Sequence, residues 1–225
     1  MRFGGFKVSC LEAVRPFVDN TITALSKVDF RDDPIAGRKY ARATSIVSSA
    51  YKRHGKIIEQ ALIERLKQNN RLSVWTDEVF AVSPAAENTF STSSPADCCL
   101  SELPYGASKR ALQIDLLVFD EVSGDLRAYE VKRGNGAFDS GKIRSVMRDL
   151  LCTHMLLKSY GIARGHGVRC AEAKIIFYYG VRSIPKPYSL IREELDEHFQ
   201  FPIVDAVEEV NSYFRDRLHE LLEAA

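Results

Sequence analysis

The chain has 225 residues, and its 31 Lys and Arg against 30 Asp and Glu leave a net charge of +1, which excludes a uniformly basic protein. That length carries a full hydrophobic core, and one domain with appendages is expected. Five cysteines at irregular spacing (Cys10, Cys98, Cys99, Cys152, Cys170) exclude a regular disulfide framework, and no signal peptide or membrane-length apolar stretch is evident, so free thiols in a reducing cytoplasm are expected.

In chain order, a helical stretch is expected over Cys10 to Ser26, followed by a loop with Asp32-Asp33-Pro34. From Gly37 to Ile58 the charged residues are Arg38, Lys39, Arg42, Lys52, Arg53 and Lys56, with no acid. Ser45 to Asn69 reads as a helix capped by Ser45. Its apolar stripe is Ile46, Ala50, Ile57, Ile58, Ala61, Leu62 and Leu66. Glu59 borders that stripe, and Gly55 one turn earlier would permit close approach of another backbone. Leu72 to Val82 reads as a first strand. Ser83 to Arg110 is a long polar segment, expected to be a mobile loop.

Ile114 to Phe119 and Leu126 to Val131 are strand-like runs separated by a turn signal, Glu121-Val122-Ser123-Gly124-Asp125. Together they read as a β-hairpin. A two- or four-residue loop centred on Ser123-Gly124 would set Asp115 opposite Lys132. Asp115, Glu130 and Lys132 would then emerge on one face, because side chains alternate with period two. A three-residue loop would put Asp115 on the other face.

Asp139 to Gly161 reads as a second helix, with Asp139 or Ser140 as cap and Gly161 as terminator. Arg144 and Arg148 lie one turn apart on it, with Lys142 nearby. They read either as a solvated face or as phosphate contacts, and Arg133 invites the same two readings. Ala173 to Gly180 reads as a buried strand, parallel to its hairpin neighbour because the connecting helix must cross right-handedly. A second Glu-x-Lys triplet, Glu172-Ala173-Lys174, has no acid on a hairpin partner and is set aside. Cys152, His154, His166 and Cys170 do not make a zinc site, since Cys152 and His154 face different ways on one helix. Val204 to Leu222 is amphipathic, with Val207, Val210, Phe214, Leu218, Leu221 and Leu222 on one stripe. It reads as packing on the core, with a dimer helix as the alternative.

Two carboxylates beside a lysine suit a hard divalent cation and an activated water, the parts that hydrolysis of a phosphodiester needs. The hairpin with Asp115 followed by Glu130-Val131-Lys132, in the order helix, three strands, helix, strand, resembles the PD-(D/E)XK nuclease superfamily. Ile114 stands where that pattern often has proline. The resemblance covers residues 46 to 181, between an N-terminal helical extension (1 to 44) and a C-terminal helical tail (190 to 225). It implies an α/β fold with a mixed central sheet flanked by helices, a restriction-endonuclease-like core. It also implies Mg²⁺, with Mn²⁺ as a substitute, held by Asp115, Glu130 and the Val131 carbonyl. Glu59, with Glu64 as the alternative, would complete the site, and Lys132 would position or activate water. DNA is the expected substrate, with Arg133, Lys142, Arg144, Arg148, Arg53 and Lys56 as candidate contacts. A restriction-type endonuclease fits the chain's size, and a sequence-specific enzyme cutting both strands would be a homodimer. A repair or defence nuclease, and a catalytically silent binding module of the same fold, are the alternatives.

Overall fold

A computed structural model describes residues 8–27, 34–35, 37–134 and 136–224. Asp32 and Asp33 lie outside these, as do the side chains of Arg38 and Lys39. The chain divides into two compact units, 1–68 with 199–225, and 69–198.

The first unit is helical: α1 (Cys10–Ser26), α2 (Gly37–Lys67) and α7 (Val204–Glu223) pack against one another. Ser9 caps α1 in a capping box with Glu12, so the helix starts where its orphan N–H groups are met. All seven residues of the expected stripe on α2 are buried. Ser45 does not cap it: α2 begins at Gly37, and Ser45 is an interior residue. On α7, Val207, Val210 and Phe214 are buried, while Leu218, Leu221 and Leu222 are partly exposed. The structure therefore groups α2 with the terminal helices.

The second unit is built on a mixed, open five-stranded sheet in the order β1-β2-β3-β4-β5. Its strands are β1 (Leu72–Val82), β2 (Arg110–Asp120), β3 (Asp125–Lys132), β4 (Cys170–Phe177) and β5 (Ser189–Ile191). β1, β2 and β3 pair antiparallel; β3 with β4 and β4 with β5 pair parallel. Between β3 and β4 runs α5 (Ser140–Ala163), capped by Asp139, whose side chain accepts from the Lys142 N–H. Its buried residues pack on Leu117, Phe119, Leu126 and Ala128 of the hairpin.

Gly161 does not end α5. A Cβ there would come within 2.5 Å of Leu126 Cδ2 and Val168 Cγ2, so the bare position lets the helix sit close on β3. The left-handed residue that follows the helix is Gly165, at φ 87°.

The segment between β1 and β2 is not a mobile loop. It forms α3 (Pro84–Thr92) and α4 (Pro95–Leu100), capped by Ser83 and Ser94, each followed by proline at the first helical turn. Ala86 and Cys98 from these helices are buried in the core beneath α5. After β5 come a 3₁₀ turn (Arg192–Glu194) and α6 (Leu195–Phe199). Among the described residues no helix is long and apolar enough to cross a membrane.

Candidate functional site

The hairpin turn is a four-residue loop, Glu121 to Gly124, centred one residue earlier than expected. Asp120 sets it. Its carboxylate accepts from the Val122 and Ser123 N–H groups at 2.9 and 3.1 Å, and its carbonyl accepts from Gly124 N–H at 2.8 Å. Arg71 Nε reaches the same carboxylate at 2.7 Å. Burial pushes the Asp120 carboxyl up, but Arg71 and the two N–H groups outweigh it and hold the pKa at about 2. The resulting register pairs Leu116 with Tyr129 and Phe119 with Leu126. Extended by one step it sets Asp115 against Glu130, not Lys132.

Asp115 also leaves the simple alternation. Against β1, Trp75 pairs with Leu117 but Asp77 pairs with Ile114, so β2 carries one extra residue there. Ile114 and Leu117 both pack into the core under α5, which only a bulge at Asp115-Leu116 allows. Glu130 and Lys132 do share a face, the one α5 covers, as their parallel partners Ile175 and Phe177 show. Asp115 reaches the pair through the backbone: its Oδ2 accepts from the Val131 N–H at 2.9 Å. The Val131 carbonyl leaves on that same edge of the strand. The Lys132 and Arg133 carbonyls turn the other way, accepting from Tyr178 and Tyr179 N–H at 2.9 and 2.7 Å.

Lys132 Nζ lies 2.6 Å from Glu130 Oε1, and the two side chains keep 34% and 30% exposure. This pair is therefore open to a solute, and the cluster is not a sealed ionic core. Gly134 terminates the strand at φ 73°, where a Cβ would collide with the Tyr179 carbonyl oxygen. No other residue fits that position without moving the backbone.

Beside Glu130 the sheet opens into a cleft whose lining includes Gln113, Asp149 and Thr153. Asp149 is engaged: its Oδ1 accepts from Arg110 Nη2 at 2.7 Å and from Arg148 Nε at 3.2 Å. Arg110 also holds Glu87 on α3, 2.7 Å away. Sequence reasoning passed over Gln113 and Asp149 because neither stands in a motif; position two residues before Asp115 was the one signal for Gln113.

Of the candidate catalytic residues, Asp115, Glu130 and Lys132 are brought together in the second unit. Glu59 is on α2 of the first unit, buried, 2.8 Å from Lys56 Nζ. Glu64, its alternative, accepts from Gln60 at 3.1 Å and from Lys67 at 2.9 Å. Of the candidate nucleic-acid contacts, Lys142 and Arg144 are exposed, Arg148 and Arg133 are half-buried, and Arg53 and Lys56 are on α2.

The second Glu-x-Lys triplet projects from the opposite face of the sheet. Glu172 pairs with Lys174 and with Arg127, and the Tyr129 hydroxyl meets His198 Nε2 at 2.7 Å. The four residues weighed for zinc are dispersed. His154 contacts the Cys99 carbonyl and the Ala173 N–H, His166 stacks on Trp75, Cys152 is buried and Cys170 is exposed.

Among the described residues no three His, Cys, Asp or Glu side chains converge as a metal-binding group. Asp115 and Glu130 nevertheless offer carboxylates at one peptide unit, with the Val131 carbonyl beside them. That donor set fits Mg²⁺, which takes one or two protein carboxylates and keeps its other waters. No family model matches the chain, and no curated protein or solved structure matches it.

Proposed function

We propose that the protein is a Mg²⁺-dependent nuclease that hydrolyses DNA phosphodiester bonds, a restriction-type endonuclease with a restriction-endonuclease-like core. One observation carries the reading. Asp115 is anchored on the Val131 N–H, between Glu130 and Lys132, which form an accessible ion pair. The chain order α2, β1, β2, β3, α5, β4 supports it, with α3 and α4 as an insertion.

Asp115, Glu130 and the Val131 carbonyl would hold the cation, which supplies charge neutralisation at the phosphate and eases deprotonation of water. Hydrolysis joins a water oxygen to phosphorus and breaks one P–O ester bond, and the departing oxygen takes up a proton. The chain's own part is positional. The Val131 N–H fixes the Asp115 carboxylate. Glu130 holds the Lys132 ammonium at the site, where it orients the attacking water and offsets charge on the phosphoryl oxygens.

The test is incubation of purified protein with long mixed-sequence DNA, with and without Mg²⁺, beside K132A. Cleavage that needs Mg²⁺ and falls at least about a hundredfold in K132A is expected, the scale on which a lost charge-stabilising group acts. Discrete fragments would mark sequence specificity, and a smear would mark a repair or defence nuclease. Normal cutting by K132A would overturn the site assignment. A mobility shift at low salt without cleavage would favour the binding module.

A further inference from the structure

The last pair of the β2–β3 ladder is Leu116 with Tyr129. Beyond it β2 runs on to Arg110 along β1, and β3 runs on to Lys132 along β4. The strands part like a wedge, and α5 closes the back. The cleft so formed encloses about 420 Å³ of empty space, part of it open to solvent. Ile114, Ala128 and Leu150 give it apolar walls, while Gln113, Glu130 and Thr153 add polar groups. Gln113 is exposed and makes no hydrogen bond to the described residues. The Thr153 hydroxyl donates to the Asp149 carbonyl at 2.9 Å, so its oxygen can still accept.

This chemistry selects among the parts of a nucleic acid. A phosphate gains nothing from apolar walls beside a carboxylate. The flat face of a base does, and its edge needs donors and acceptors. Glu130 belongs both to the cleft and to the cluster at Lys132, so an occupant would lie next to the reacting phosphate. We propose that the cleft receives one unstacked nucleobase of the substrate strand, adjacent to the bond being cut, with Gln113 reading its edge. The Gln113 amide offers a donor and an acceptor side by side, the complement of adenine. This rests on the nuclease reading and goes beyond it, by naming a base site and its specificity residue.

The experiment first maps the bond cut by the wild-type protein. 2-Aminopurine, an adenine analogue quenched by stacking, is then placed at each nucleotide within two of that bond. Duplexes are bound to K132A without Mg²⁺. The expected result is a severalfold rise in fluorescence at one position. Q113A, which alters only an exposed side chain, should cut DNA with adenine at that position about tenfold more slowly than wild type, the discrimination of a paired amide contact. On DNA with an abasic site there, Q113A and wild type should cut alike. If the wild type cuts, K132A binds and the probe stays dark at every position, the base site is wrong and the nuclease reading stands. The base site is equally wrong if Q113A cuts every substrate as wild type does. If the wild type cuts no DNA, both fall together.

Discussion

At Asp115 one side chain carries two separate duties. Its carboxylate satisfies the Val131 N–H, a backbone donor the hairpin ladder no longer reaches, and it brings negative charge to the Glu130–Lys132 pair. The duties can be separated by substitution. D115N keeps an oxygen acceptor for the N–H but removes the charge, whereas D115A removes both. Cleavage should be lost in both variants. Stability should fall further in D115A, by about 1–2 kcal/mol relative to D115N, the usual cost of leaving a part-buried backbone donor unpaired. Urea denaturation of the two proteins measures the difference. D115N cutting like wild type would remove Asp115 from the metal set.

At the scale of elements, what was legible in the sequence follows how local its cause is. The bounds of α1 and β1 coincide with the expected ones, because a capping box and a run bounded by turn residues act within a few positions. The parallel pairing of β3 with β4 followed from the handedness of the crossover. The bulge at Asp115 was hidden: Leu116, Leu117, Val118 and Phe119 are all buried, so the sequence there shows no alternation to break. The turn was misplaced because the glycine at 124 drew the centre toward itself, while Asp120 governs the geometry.

The helices α3 and α4 were missed for a different reason. Ser, Thr and Pro dominate the segment and read as loop, yet Ser83-Pro84 and Ser94-Pro95 are helix-start pairs, with proline where its missing N–H costs nothing. The caps therefore matter more than intrinsic propensity here. Ser83 is buried and accepts from the Ala86 N–H, so S83A should cost about 1 kcal/mol. A lower midpoint of chemical denaturation, with near-unchanged helix content, is the expected result. No shift would mean that α3 is held by its apolar contacts alone.

At the scale of the whole molecule, the near-zero net charge hides strong local pairing. Lys109, then Arg110, hold the Glu87 carboxyl at about 2, well below its ordinary 4.5. A folded-state pKa below the unfolded one contributes stability that is complete above pH 4.5 and is lost as pH falls toward about 2. E87Q cannot titrate. The stability gap between wild type and E87Q should therefore be widest at neutral pH and close across that acid window. Urea midpoints at stepped pH measure it; a gap constant with pH would show that Glu87 acts through packing.

A net charge of +1 gives no global attraction for a polyanion, so the proposed DNA binding has to come from local charge. Lys142 and Arg144 are exposed on the first turns of α5, and Arg144 makes no ion pair with the described residues. Arg148, one turn on, is held by Asp149 at 3.2 Å. Each phosphate neutralised by a cation releases counterions and adds about 0.9 to the slope of log affinity against log salt. R144A should therefore flatten that slope by about one, whatever the DNA sequence. R148A should flatten it less, since its charge is already partly matched within the protein. Binding of K132A and its double variants to one duplex across a salt series gives both slopes. Equal slopes for all three proteins would move the phosphate-binding surface away from α5, even if cleavage at the Lys132 site were intact.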